Sequence, residues 1–149
     1  ILGAVKNAFS TYLRMARPPT LLGFDPMIQV IHEEDMTSAI VAAARPGIRG
    51  VFNIVGPEAL PLRRLVAEAG KATRTLPHPI APLIARQAWA LRLLDIPAAE
   101  LDWLRYAVTL DGARAGELLG FRAHYSVRDA VDAALRRGIF EGDAEQVRH

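Results

Sequence analysis

The sequence predicts an α/β fold, on three observations. Short β-branched runs alternate with stretches of helical periodicity along the chain. Gly50-Val51-Phe52-Asn53-Ile54-Val55-Gly56 is almost continuously apolar and bounded by glycines, the pattern of a strand buried on both faces of a parallel sheet. Ile28 to Ile31, introduced by Pro26, reads as a short strand that turns directly into a helix from Glu33 to about Ala44.

Ile1-Leu2-Gly3 reads as the end of a strand already under way, and the chain as a piece of a longer protein. Val5, Phe9, Tyr12 and Leu13 recur at helical spacing, so a helix is expected from Val5 to about Arg14, broken by Arg17-Pro18-Pro19. Thr20 to Gly23 is a short strand candidate, and Phe24-Asp25-Pro26 a turn. In the Glu33 helix, Met36, Ile40 and Ala43 or Ala44 form the apolar face. Arg45-Pro46-Gly47 is a loop. Pro57 and Pro61 lead into a helix from Leu62 to Ala69 that presents Leu62, Leu65, Val66 and Ala69, with Gly70 after its end.

Thr73 to Pro77 is a short extended candidate. Ile80 to Leu94 and Ala98 to Leu104 read as helices, and Ala107 to Leu110 as extended. Asp111 is positioned to cap a helix that ends near Leu119 at Gly120. Ser126-Val127-Arg128-Asp129 resembles a capping box and starts a last helix, expected to stop at Gly138. Residues 1–140 are read as one folded portion and 141–149 as a frayed polar tail.

Composition narrows the function classes. With 149 residues, 51% hydrophobic and 23% charged, the chain has enough apolar material for a core. Its net charge of +2 comes without a basic run interleaved with aromatics, which argues against nucleic-acid binding. Zero cysteines exclude disulfides and thiolate chemistry and are compatible with a cytoplasmic home. No stretch is long and apolar enough for a membrane span.

The chemistry-bearing residues crowd at one junction, His32-Glu33-Glu34-Asp35. Three carboxylates in a first helical turn complement the helix dipole and its free N–H groups. His32 with Asp35 or Glu33 would supply two metal ligands, but no second histidine stands at helical spacing and no cysteine exists, so no metal is expected. A general acid or base at His32 would need a nucleophile or orienting partner that the sequence does not supply.

Four segments in order carry a resemblance. Ile28 to Ile40, with His32 and Asp35 at the two fixed positions, is similar to the V-H-x-x-D strand-to-helix segment of extended short-chain dehydrogenases/reductases, the NAD-dependent epimerase/dehydratase family. Gly50 to Gly56, with Asn53, resembles its G-x-Y-N-x-x-G strand, Phe52 replacing tyrosine. Asp111-Gly112-Ala113-Arg114 with Leu119-Gly120-Phe121 resembles its D-x-x-(K/R)…L-G-(F/W) segment, and Ile1-Leu2-Gly3 the end of its R-P-x-x-x-x-G strand. The likeness covers almost the whole chain but only the family's C-terminal half. It implies the C-terminal part of an extended Rossmann-type fold: the last sheet strands plus a small, mostly helical substrate lobe.

The resemblance also implies what lies elsewhere. NAD or NADP would be held by the parent protein's N-terminal Rossmann portion, the missing partner of this chain. No G-x-x-G-x-x-G turn is present; Gly47 and Gly50 precede a strand. The family's catalytic Tyr-x-x-x-Lys pair is absent: Ala16, Leu110 and Asp129 stand four residues after the three tyrosines. The chain alone is therefore expected to bind no cofactor and to be inactive.

Where nucleotide-sugar epimerases of the family often carry an arginine, four residues before the motif histidine, this sequence has Ile28. Leu101-Asp102-Trp103-Leu104 replaces a later R-x-G-D stretch. Both changes argue for a small-molecule substrate other than a nucleotide sugar. Met27, Leu22, Phe24, Trp89 and Trp103 would suit a less charged ligand, or be core residues. His32, Asp35, Asn53 and Asp111 are expected to act architecturally. Asp35 would take backbone N–H bonds at the junction, and His32 would hold a neighbouring strand or loop. The alternative function is a non-catalytic binding or structural subunit of the same fold.

Overall fold

The computed structural model describes residues 1–3, 7–77, 87, 105–107 and 109–146, of which 137–146 in backbone alone. The chain divides into two compact units, Ile1–Val5 with Gln29–Ala59 and Thr109–His149, and Lys6–Ile28 with Leu60–Val108. The helices expected over Ile80 to Leu94 and Ala98 to Leu104 lie outside the described residues, Gln87 excepted, as do Trp89 and Trp103.

The unit containing Lys6–Ile28 and Leu60–Val108 begins with α1 (Ala8–Arg14). Asn7 and Ser10 cap it reciprocally: Asn7 Oδ1 accepts the Ser10 N–H at 2.8 Å, and Ser10 Oγ accepts the Asn7 N–H at 3.0 Å. Tyr12 and Leu13 are buried, and the Tyr12 hydroxyl donates to the Pro19 carbonyl at 2.9 Å. Burial and then the nearby Asp25 charge push that phenol well above its ordinary range. β1 (Pro19–Leu21) pairs in parallel with β4 (Arg74–Leu76), Thr20 opposite Thr75. The extended segment expected at Thr73 to Pro77 is thus a strand, and β1 starts one residue before the expected Thr20.

α3 (Leu62–Glu68) closes this unit with Leu62, Leu65 and Val66 buried, the face that its spacing predicts. The Asp25 carboxylate accepts the Arg63 N–H at its start. Lys71 Nζ donates to the Leu13 and Met15 carbonyls at the end of α1, at 2.6 and 3.0 Å. A second two-stranded sheet holds β2 (Met27–Gln29) and β3 (Ala59–Pro61). β2 is shorter than the expected Ile28 to Ile31; Val30 and Ile31 are buried but lie past the pairing.

In the other unit, Leu2 bridges His32 in parallel, so the expected strand end at Ile1-Leu2-Gly3 does meet a neighbour. The Leu2 N–H donates to the Ile31 carbonyl at 2.8 Å, and the Glu33 N–H to the Leu2 carbonyl at 2.9 Å. α2 (Glu33–Ala43) follows at once. Its buried face is Asp35, Ala39 and Ala42, while Ile40 and Val41 are more than 60% exposed. The expected face through Met36 and Ile40 is therefore corrected. Small alanines permit close packing, and Ala42 joins Ala115 and Leu119 in a core cluster with Ile48, Phe52, Ile54 and Phe121 against it.

Val51 to Val55 corrects a second expectation. Among the described residues it joins neither two-stranded sheet, and Val51 is 85% exposed. Phe52 and Ile54 pack on the cluster, whereas Val51 and Asn53 are exposed, so burial is one-sided. Gly56 is buried with its α-carbon against the Val30 carbonyl, where a Cβ would have no room.

α4 (Ala113–Leu119) ends at Gly120, whose φ of 66° is the left-handed cap that its position predicts. Ala107 and Thr109 to Leu110 form no strand. α5 (Val127–Gln146) runs past Gly138 to Gln146 and includes the residues expected as tail from Glu141. Glycine inside a helix costs only about 1 kcal/mol, too little to end one by itself. The described residues contain no helix long and apolar enough to cross a membrane.

Candidate functional site

The ionisable knot at the start of α2 is built by three local rules. The Leu2 bridge fixes the backbone at His32. His32 is then the N-cap of α2, its Nδ1 accepting the Glu34 N–H at 3.2 Å. Nδ1 as acceptor places the proton of a neutral ring on Nε2. Asp35 in the first turn falls on the buried face and is 1% exposed.

A distant segment completes the knot. Asp35 Oδ1 accepts the His124 N–H at 3.0 Å and Oδ2 the Tyr125 N–H at 3.1 Å. The Asp35 bonds thus go to the loop before α5, and the expectation that they serve the junction itself is corrected. His124 Nδ1 also lies 3.6 Å from Asp35 Oδ1, with the histidine side chain 80% exposed. Tyr125 stacks on His32, ring centroids 4.1 Å apart and planes at 15°. Its hydroxyl donates to Glu34 Oε2. That hydrogen bond, and then the Glu34 charge, raise the Tyr125 phenol above its ordinary value.

The capping box of α5 adjoins. The Ser126 N–H and hydroxyl donate to Asp129 Oδ2 at 2.9 and 2.6 Å, and Ser126 Oγ accepts the Asp129 N–H at 3.2 Å. The Ser126 hydroxyl first, then its N–H, hold the Asp129 carboxyl below its usual value.

Asn53 and Asp111 also meet. Asn53 Nδ2 donates to the Asp111 carbonyl at 3.2 Å, and Asp111 Oδ1 accepts the Ala113 N–H at 2.8 Å beside the start of α4. Gln29 Oε1 accepts the Leu110 N–H at 2.7 Å. Two amide side chains thus fix the backbone of Leu110 and Asp111 where no strand ladder does. Among the described residues, the bonds that Asn53 and Asp111 make stay within this segment and do not reach the His32–Asp35 knot.

Both Asp35 oxygens and His32 Nδ1 already serve backbone donors, and Glu34 serves Tyr125. Among the described residues no group of three or more histidines, cysteines or carboxylates stands close enough to hold a metal. Gly47 and Gly50, with φ of 88° and 120°, lie in the connection after α2 and do not open a helix, so they give no phosphate cradle for a dinucleotide. Sequence reading missed Tyr125, His124 and Gln29. Tyr125 stands one residue before the Ser126 cap, but its ring stacks on His32 rather than on its own helix, so no local pattern marks it.

No family model matches the chain. Uncharacterized proteins of Mycobacterium tuberculosis and Mycobacterium bovis are each 28% identical to it over 144 residues, 91% of this chain and 36% of theirs. Among solved structures it is similar to UDP-glucuronic acid 4-epimerase from Bacillus cereus in complex with NAD. The TM-score is 0.57 at 16% identity, over 88% of this chain and 38% of that one. RMD from Pseudomonas aeruginosa complexed with NADPH gives 0.57 at 14% identity, over 91% and 44%. UDP-N-acetylglucosamine 4-epimerase from Bacillus cereus gives 0.53 at 17% identity, over 89% and 44%. The chain therefore spans well under half the length of the proteins it matches. The likeness is one of fold: α/β with parallel pairing, matching part of those longer chains.

Proposed function

We propose that this chain is the C-terminal, substrate-binding portion of an NAD(P)-dependent epimerase, dehydratase or reductase, working in the cytoplasm. The observation that carries the reading is the strand-to-helix junction. There His32 caps α2 and Asp35 reaches the loop before α5, in a fold that matches part of nicotinamide-cofactor proteins. In this reading the cofactor and the acid/base pair belong to the N-terminal Rossmann portion of the longer protein. The described residues of this chain supply neither, so no catalytic step is assigned to them. They hold substrate and frame the sheet.

Residues 1–140 form that portion. His32, Asp35, Asn53 and Asp111 are its architectural residues. The substrate is a small molecule other than a nucleotide sugar. Ile28 supports this: it is 6% exposed, an apolar core position in β2 that offers no charge to a diphosphate.

Two proteins test the proposal: the 149-residue chain and the longer polypeptide that contains it. NAD(P)-dependent turnover is expected of the longer one alone. Turnover by the chain by itself overturns the proposal. A longer polypeptide that binds no nicotinamide nucleotide favours instead a non-catalytic subunit of the same fold.

A further inference from the structure

Helix α2 carries two faces at helical spacing, one buried and one bare. Asp35, Ala39 and Ala42 form the buried one. Thr37, Ile40, Val41 and Ala44 stand at i, i+3, i+4 and i+7 and are all exposed, Ile40 and Val41 by more than 60%. No charged residue stands between Asp35 and Arg45, although the water-facing side of a surface helix ordinarily carries charges. The hydroxyls there are turned onto the helix's own backbone: Thr37 Oγ1 donates to the Glu33 carbonyl at 2.9 Å, and Ser38 Oγ to the Asp35 carbonyl at 2.8 Å. Past its first turn α2 is thus uncharged on every side, the composition of a helix that lies inside a protein rather than on its surface.

We infer that the stripe of Thr37, Ile40, Val41 and Ala44 packs against an apolar surface of the N-terminal portion of the longer polypeptide. The inference rests on the proposal that such a portion exists. The chain spans 36% of the length of its mycobacterial relatives, so most of a protein of that length lies outside it. Its first residues lie beside the start of α2: Leu2 bridges His32, and Gly3 is so close to the Glu33 side chain that a Cβ would collide with it. Polypeptide that precedes Ile1 therefore enters this unit next to the helix. The size of the face also selects the occupant. α2 has 11 residues, so it is about 16 Å long, and one stripe on it falls well short of the roughly 800 Å² per partner of a stable dimer. A face that small suits a contact between parts of one chain, which loses no translational freedom on forming.

The test uses the longer polypeptide with the photo-crosslinker benzoylphenylalanine in place of Val41. Peptide mapping is expected to join position 41 to residues that precede Ile1, within one polypeptide. Crosslinks confined to this chain, residues 78–104 included, overturn the inference. So do crosslinks to a segment after His149 or to a second copy, and so does the absence of any crosslink. Should that variant fail to fold, the same crosslinker in place of Ala44, at the end of the helix, gives the same reading. The chain has no cysteine, so Val41→Cys adds a solvent measurement. With any other cysteines of the longer polypeptide replaced by serine, maleimide should modify position 41 roughly tenfold or more slowly in the folded state than in denaturant. Equal rates in the two states overturn the inference. Nicotinamide-dependent turnover is read separately, on the wild-type longer polypeptide. Its absence beside an upstream crosslink overturns the enzyme reading and leaves this face standing. Turnover with position 41 open to maleimide overturns the face and leaves the enzyme reading standing.

Discussion

Asp35 near the start of α2 accepts the backbone N–H of Tyr125 across ninety residues of sequence, at 3.1 Å and almost fully buried. The second oxygen takes His124 N–H. Loss of the carboxylate leaves two N–H groups without acceptors. Asp35→Ala is expected to destabilise by about 1–3 kcal/mol, because the two N–H groups that lose their acceptor are only partly buried and water can reach them. Asp35→Asn keeps one acceptor oxygen and should cost less. Denaturant melts of both variants check this. In the longer polypeptide, single-turnover rates should fall less than stability does. A rate loss above roughly a hundredfold with unchanged stability, the scale of a lost general acid or base, would place Asp35 in the chemistry instead.

Tyr125 gives an alkaline prediction. Its folded-state phenol is raised above the ordinary value of 10.0, because the protonated hydroxyl serves Glu34. The stabilisation is therefore complete below pH 10 and is lost as pH rises through the folded value. Tyr125→Phe should flatten part of the alkaline fall in melting temperature while keeping the stack on His32. Some fall must persist, since Tyr12 is raised as well by its burial. An unchanged alkaline profile in Tyr125→Phe would refute the bond to Glu34.

Asp129 predicts the opposite limb. Its carboxyl is held below the usual carboxylate range by the Ser126 hydroxyl and N–H. The stabilisation is present above the unfolded value and disappears as pH falls through the lower, folded one. Asp129→Asn should be less stable than wild type at neutral pH, and the two should converge in acid. Thermal melts across the acid range read this directly. Ser126→Ala should act in the same direction, since it removes the larger of the two causes.

Local rules made much of this fold legible. The box at Ser126 and Asp129, the left-handed Gly120 and the Leu62, Leu65, Val66 face all depend on neighbours within one helix. Long-range causes were hidden. Hydrophobicity put Ile40 inside α2, and helix chemistry tied Asp35 to the junction, whereas the helix exposes Ile40 and buries Asp35 against a loop that no local pattern connects with it. Apolar continuity in Val51 to Val55 likewise cannot say which face meets a partner; Ala42, Ala115 and Leu119 decide that from two other elements. In the candidate site, His32 and Asp35 were legible from type and position. Tyr125 and His124 were not, because their contribution to the Asp35 bonds is backbone N–H, which every residue type but proline offers.

Gly56 supplies the last prediction. Nothing about its backbone demands glycine by a positive φ, yet a Cβ built there would fall on the Val30 carbonyl. Backbone cannot yield as a flexible side-chain tip does. Gly56→Ala should therefore separate the 51–56 segment from the chain that enters His32, at about 3 kcal/mol or more, the upper range of overpacking. Gly23 is the control. Its φ is 84° and a Cβ there meets nothing within 4 Å, so Gly23→Ala carries only left-handed strain, about 1 kcal/mol. Melting both variants in denaturant ranks them. A Gly56→Ala chain as stable as Gly23→Ala would show that the close approach to Val30 is not part of the folded state.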